Sequence, residues 1–126
     1  INKLKKKPTE LEILGDGKQT KSYIHISDMI DGVLFCSKVS NDKVEVFNLG
    51  NDDKIDVRSI ADIVCLNLNL KNIKIIQKGG TADGRGWVGD VKQMQLDITK
   101  LKALGWNARH TSLAAVDMAV KEIIKS

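Results

Sequence analysis

The sequence predicts an α/β chain, α+β when taken by itself, and three observations carry that prediction. An Asp-Gly pair at Asp16-Gly17 separates two strand-like segments, and this dipeptide favours a tight hairpin turn because both residues tolerate positive φ. Val44 to Leu49 alternates apolar and polar residues before breaking at Gly50-Asn51-Asp52-Asp53, as a strand followed by a turn does. Leu113, Val116, Val120, Ile123 and Ile124 recur at helical spacing. Hairpin, isolated strands and four or five helices together exclude a bundle or a sandwich.

The elements follow in order. Ile1 and Leu4 give a short helical segment an apolar face, Lys3, Lys5, Lys6 and Lys7 solvate it, and Pro8 stops it. Glu10 to Leu14 reads as a strand and Gln19 to Ile26 as its return partner, with Tyr23 and His25 on one face and Ile24 and Ile26 on the other. Ser27 is placed to cap a helix running to about Val39, whose buried stripe would be Ile30, Val33, Leu34 and Ser37. Asp56 is placed to cap a second helix, with Ile55 and Ile60 as a hydrophobic staple and Ile60, Ile63, Val64 and Cys65 as its packed face. Ile73 to Gln77 is a short strand, and Lys78 to Val91 a long glycine-rich loop of the kind that usually carries function. Asp97 would cap a short helix that Gly105 ends, and Thr111 the last helix.

Composition narrows the function. At 126 residues and 42% hydrophobic, the chain has the means to bury a core as one domain. Its apolar runs fall well short of a membrane span, and no signal peptide is expected. The net charge of +4 rests on lysine, with only Arg58, Arg85 and Arg109 as arginines and five aromatics, none grouped with Lys. Nucleic-acid readers rely on arginine forks and stacking aromatics, so no nucleic-acid partner is expected. Cys36 and Cys65 each lie within a helical apolar pattern, which favours free thiols in a reducing cytoplasm over a disulfide or a zinc site. His25 and His110 have no second ligand at metal spacing and no nucleophile with an acidic partner, so neither a metal centre nor a hydrolase triad is expected. Asp52, Asp53 and Asp56 lack the ligand order of a calcium loop and suit a turn and a cap.

Gly84-Arg85-Gly86-Trp87-Val88-Gly89 matches the glycine pattern of a dinucleotide fingerprint. Its context is wrong, because the preceding strand ends too early, no apolar helix opens after it, and Trp87 crowds a place needing close backbone approach. No cofactor site is therefore expected here. Residue chemistry leaves two other readings open. Arg85 grips an anion such as a diphosphate, with Asp90 orienting it or accepting from a ribose hydroxyl, or the loop is simply flexible and its Arg solvated.

Four motifs in sequence order then resemble one family. Gly15 to Asp28 is similar to the hairpin and His-containing helix start of the NAD-dependent epimerase/dehydratase family, the extended short-chain dehydrogenases. Phe47-Asn48-Leu49-Gly50, Arg85 to Val91 and Asp97 to Trp106 resemble its following strand end and closing motifs. The likeness covers nearly the whole chain and is nearest the UDP-glucose 4-epimerase-like branch. It implies that residues 1–126 are the C-terminal nucleotide-sugar-binding domain of a larger enzyme, without the N-terminal Rossmann half. A start at Ile1 rather than Met fits that expectation.

The resemblance implies site residues one by one. Lys21 stands where the family usually has a diphosphate-binding Arg, Arg85 matches the second such Arg, and Asp90 matches the Asp of the closing motif. Asn48 transfers more weakly, tying down a strand end being its plainer role, and Met94 stands where some epimerases have a ligand-contacting Tyr. Catalysis does not transfer. The family's Tyr-x-x-x-Lys pair is absent, since Tyr23 is the only tyrosine and Ser27 lies four residues on. The expected partners are a UDP-linked sugar and either the missing Rossmann half, which would hold NAD, or a second copy of the chain. The rival expectation is a stand-alone interaction or regulatory module of the same fold without enzymatic activity.

Overall fold

The computed structural model describes residues 1–126. A short helix α1 (Asn2–Lys6) leads into β1 (Glu10–Leu14). There follow β2 (Thr20–Lys21), α2 (Ile26–Val39), β3 (Ile55–Asp56) and α3 (Val57–Asn67). The chain closes with β4 (Lys74–Lys78), β5 (Gln93–Met94), α4 (Thr99–Ala103) and α5 (Ser112–Lys125). β1 and β4 form a parallel pair with Leu11 opposite Ile75, while β2 lies antiparallel to β3 and parallel to β5.

The principal core lies between α3 and α5. Leu4, Ile63, Val64, Cys65 and Val120 are buried together, and Leu11, Ile73, Val116 and Ile124 pack around them. Leu4 therefore does what its place in a lysine-rich helix predicts: it buries one apolar side chain while its neighbours stay in water. Two of the three caps expected on the long helices form. Asp56 accepts from the Ser59 amide at 2.6 Å, and Thr111 from the Ala114 amide at 3.2 Å. Gly105, at φ +96°, ends α4 in the left-handed region.

Three expectations are corrected. The hairpin does not form, because positive φ falls on Gly15 (+72°) and Gly17 (+74°) rather than on the adjacent pair Asp16-Gly17 that a two-residue hairpin loop needs. Asp16 instead accepts from the Lys18 amide at 2.9 Å, β1 takes β4 as its partner, and only Thr20–Lys21 of the return segment is strand. Helix α2 is capped by His25, whose Nδ1 accepts from the Ser27 amide at 3.3 Å, rather than by Ser27. Its buried face is Asp28 and Gly32, while the predicted stripe of Ile30, Val33 and Leu34 is more than half exposed. Gly32 is buried because Leu49 and Trp106 lie against it, leaving no room for a Cβ.

The third correction concerns Val44 to Leu49, which alternates in burial as a strand does yet has no strand partner. Its backbone amides and carbonyls make no backbone hydrogen bonds. Val44 and Val46 face outward, and side chains from α4 secure the other side: Lys100 Nζ donates to the Val46 carbonyl at 3.0 Å and stands over the Phe47 ring. Strand character without a ladder is what an alternating segment shows when no neighbouring edge is present.

Candidate functional site

The site is assembled from two segments that the failed hairpin brings together. Beyond Gly15 the chain turns against the glycine loop, where the Asp16 amide donates to the Gly84 carbonyl at 2.9 Å and Gln19 Nε2 to the same oxygen at 3.3 Å. β2 then pairs with β5, and the Thr20 amide donates to the Lys92 carbonyl at 2.8 Å. These contacts place Lys21 beside the segment Gly84 to Asp90, 69 residues away in sequence from its partner Asp90.

Asp90 is the hub. Its Oδ1 accepts from Lys21 Nζ at 3.2 Å, its Oδ2 from the Gly86 amide at 3.2 Å, and its main-chain carbonyl from Arg85 Nη1 at 3.3 Å. The carboxylate is nearly buried, at 4% side-chain exposure. Burial pushes its carboxyl up, but the Lys21 ammonium and the Gly86 amide outweigh that and hold it below its ordinary 3.8. Asp90 therefore spends both oxygens on organising the loop and Lys21. Lys21 Nζ also stands 5.6 Å from the ring centre of Trp87, within cation–π range. Trp87 is 55% exposed and Trp106 only 4%, so the first belongs to the loop surface and the second to the core.

Of the four residues named from sequence, Lys21, Arg85 and Asp90 thus converge. Asn48 does not join them; its Nδ2 donates to the Asp97 carbonyl at 2.9 Å and ties the unpaired segment to the start of α4. Gly84 to Gly89 lie in bends and turns that lead to β5, whereas a dinucleotide fingerprint opens a helix.

A second polar centre went unnoticed in the sequence. Asp28, 1% exposed, accepts from the His110 amide at 2.9 Å, from His110 Nδ1 at 3.0 Å and from Arg109 Nε at 3.2 Å. A carboxylate only accepts, so His110 carries its proton on Nδ1 in this contact. Nearby, buried Asn51 donates to the carbonyls of Tyr23 and His110 at 3.2 and 2.6 Å. The available signal was an Asp in the first turn of a largely apolar helix.

Acid should expose both centres. Burial raises the Asp28 carboxyl, but the His110 amide and ring and then Arg109 outweigh it, so it too sits below 3.8. A carboxyl with a folded value below its unfolded one adds stability that is complete above the unfolded value and is lost as pH falls through the folded one. Denaturant midpoints are therefore expected to stay level down to about pH 4 and to drop below it. Asp28→Asn should flatten that drop, and an unchanged acid limb in the variant would contradict the assignment.

The architecture is the extended short-chain dehydrogenase fold, as three comparisons make plain. A UDP-galactose 4-epimerase structure superposes with a TM-score of 0.79 and 32% identity, over 98% of this chain and 38% of that one. A Bacillus cereus UDP-glucuronic acid 4-epimerase, solved with a fluorinated UDP-sugar and NAD, superposes with a TM-score of 0.74 and 22% identity, over 98% and 38% respectively. A UDP-glucuronic acid decarboxylase of Arabidopsis thaliana is 32% identical over 120 residues, 94% of this chain but 25% of that protein. No family model matches the sequence. The chain belongs to the NAD-dependent sugar-nucleotide epimerase/dehydratase family and corresponds to its C-terminal portion. It spans a quarter of the length of the curated relative named here.

Proposed function

We propose that residues 1–126 are the nucleotide-sugar-binding C-terminal domain of an NAD-dependent sugar epimerase or dehydratase, acting on a UDP-linked sugar. The observation that carries this reading is the meeting of Lys21 and Arg85 about Asp90. Two cations from distant segments, held on one rigid acceptor, suit a diphosphate: the guanidinium supplies a planar fork and the ammonium a point charge. Exposed Trp87 adds an aromatic surface beside them. Binding here would fix the sugar for a reaction whose chemical groups lie elsewhere. Tyr23 has Ser27 rather than Lys four residues on, so hydride transfer and NAD binding belong to the remainder of the enzyme and this chain by itself is inactive.

The same reading accounts for two uncovered surfaces. Ile26, Ile30, Val33 and Leu34 expose an apolar face on α2, and Val44 to Leu49 is a strand without a neighbour. Both suit cover by the Rossmann half or by a second copy. These surfaces also favour the rival reading, a module that works by association alone. No helix is long and apolar enough to cross a membrane, and the two free thiols suit a reducing cytoplasm.

Titration of the chain with UDP, followed by amide NMR, tests the proposal. Arg85→Ala is expected to weaken binding at least about tenfold, the loss of charge-assisted hydrogen bonds to phosphate, and Lys21→Ala to weaken it less. A stable oligomer that ignores UDP and UDP-sugars would sink the proposal and support association.

A further inference from the structure

We propose that Asp83 is a resident competitor for Arg85, a carboxylate that holds the guanidinium until an anionic ligand replaces it. This inference rests on the reading of the loop as a diphosphate site. Arg85 Nε lies 3.0 Å from Asp83 Oδ2 and 3.1 Å from Oδ1. Nη1 is turned toward the Asp90 carbonyl. A guanidinium grips carboxylate and phosphate oxygens through the same N–H edges, so the group best suited to a diphosphate already has an occupant.

That occupant is held in place locally. Thr81 Oγ1 donates to Asp83 Oδ1, and Lys92 Nζ lies 3.9 Å from Oδ2. The Thr81 amide donates to the Arg85 carbonyl at 2.9 Å and the Gly84 amide to the Thr81 carbonyl at 2.9 Å, so one tight turn carries both the cation and its counter-ion. The Thr81 hydroxyl and then Arg85 hold the Asp83 carboxyl at about 2, which keeps it charged throughout the physiological range.

The balance of strengths suits displacement. Side-chain exposures of 33% for Arg85 and 46% for Asp83 put the pair in water's reach, where ion pairs contribute little. A diphosphate brings more charge than one carboxylate, and Lys21 shares Asp90 with Arg85 as a contact. Once displaced, Asp83 keeps Lys92 as a neighbouring cation. The pair therefore orients and neutralises Arg85 in the free protein and yields to a ligand that engages both cations. Asp83 sets the affinity of the site without touching the ligand.

UDP titrations of the full chain and its variants test this. Asp83→Asn is expected to bind UDP about fivefold more tightly, the worth of one exposed ion pair. Thr81→Ala, which frees the carboxylate without removing its charge, should shift affinity in the same direction by less. Asp42→Asn is the charge control, since that exposed carboxylate lies between α2 and β3 and outside the loop; it should change affinity by less than about twofold. Equal gains in Asp42→Asn and Asp83→Asn would reduce the effect to net charge and overturn the competitor. Unchanged or weaker binding in Asp83→Asn would also overturn it, making Asp83 an organiser of Arg85. In both cases the parent chain still binds and Arg85→Ala does not, so the site itself stands. If neither the parent nor Asp83→Asn binds UDP at millimolar concentration, the diphosphate reading fails and the competitor with it.

Discussion

Asp28→Ala is expected to destabilise the chain by about 3 kcal/mol, the scale for removing one partner from a buried, hydrogen-bonded charge. The carboxylate joins the first turn of α2 to the segment that precedes α5 through three hydrogen bonds. Arg109, whose side chain is 61% exposed, can return to water when the carboxylate is lost. The part-buried His110 amide would lose its acceptor. For a single domain with a total stability of about 5–15 kcal/mol, the change should move the urea midpoint well outside experimental error. Asp28→Asn keeps the size and one acceptor oxygen and should cost less. A loss below about 1 kcal/mol in the alanine variant, the level of an exposed pair, would mean that this clamp is dispensable.

Gly15→Ala should damage fold and site together. At φ +72° an L side chain is strained by about 1–2 kcal/mol. The added Cβ would also stand 2.8 Å from the Arg85 main-chain carbon and against the Gly84 carbonyl, backbone atoms that cannot swing away. The loop must then retreat from the turn, and Arg85 with it. We expect a stability loss above about 2 kcal/mol and UDP binding weakened by about tenfold or more. Gly79→Ala provides the comparison, because Gly79 has φ +63° but nothing within 4 Å of a built Cβ. It should show the strain without the loss of binding. Equal binding losses in both variants would separate the effect from the Gly15–Gly84 contact.

What the sequence made legible depended on how local the cause was. The caps at Asp56 and Thr111, the buried Leu4 among lysines, and the end of α4 at Gly105 are decided within a turn of helix, and each appears as read. The Asp16-Gly17 turn failed because its outcome is set at a distance. Asp16 pairs with Gly84 and Gln77 with Asp16, contacts that no local window contains. The stripe on α2 failed for a related reason: periodicity reveals that a face is apolar, not that its cover lies within the same chain. Lys21, Arg85 and Asp90 were named through motif order rather than through chemistry alone, and the fold brings the three together. Asp83 was missed because nothing in a glycine loop announces which carboxylate will meet its arginine. Asp28 was missed because a first-turn Asp looks the same whether it serves its own helix or a segment 82 residues on.

The two tryptophans differ sharply in surroundings, with Trp106 enclosed against Gly32 and Trp87 on the open loop. The chain therefore carries two intrinsic fluorophores that report on separate events. Iodide, which reaches only accessible indoles, should quench Trp87 and spare Trp106, and a Trp87→Phe variant would leave emission from the core alone. Denaturation can then be followed through one indole and the surroundings of the loop through the other, in the same sample and without an added label.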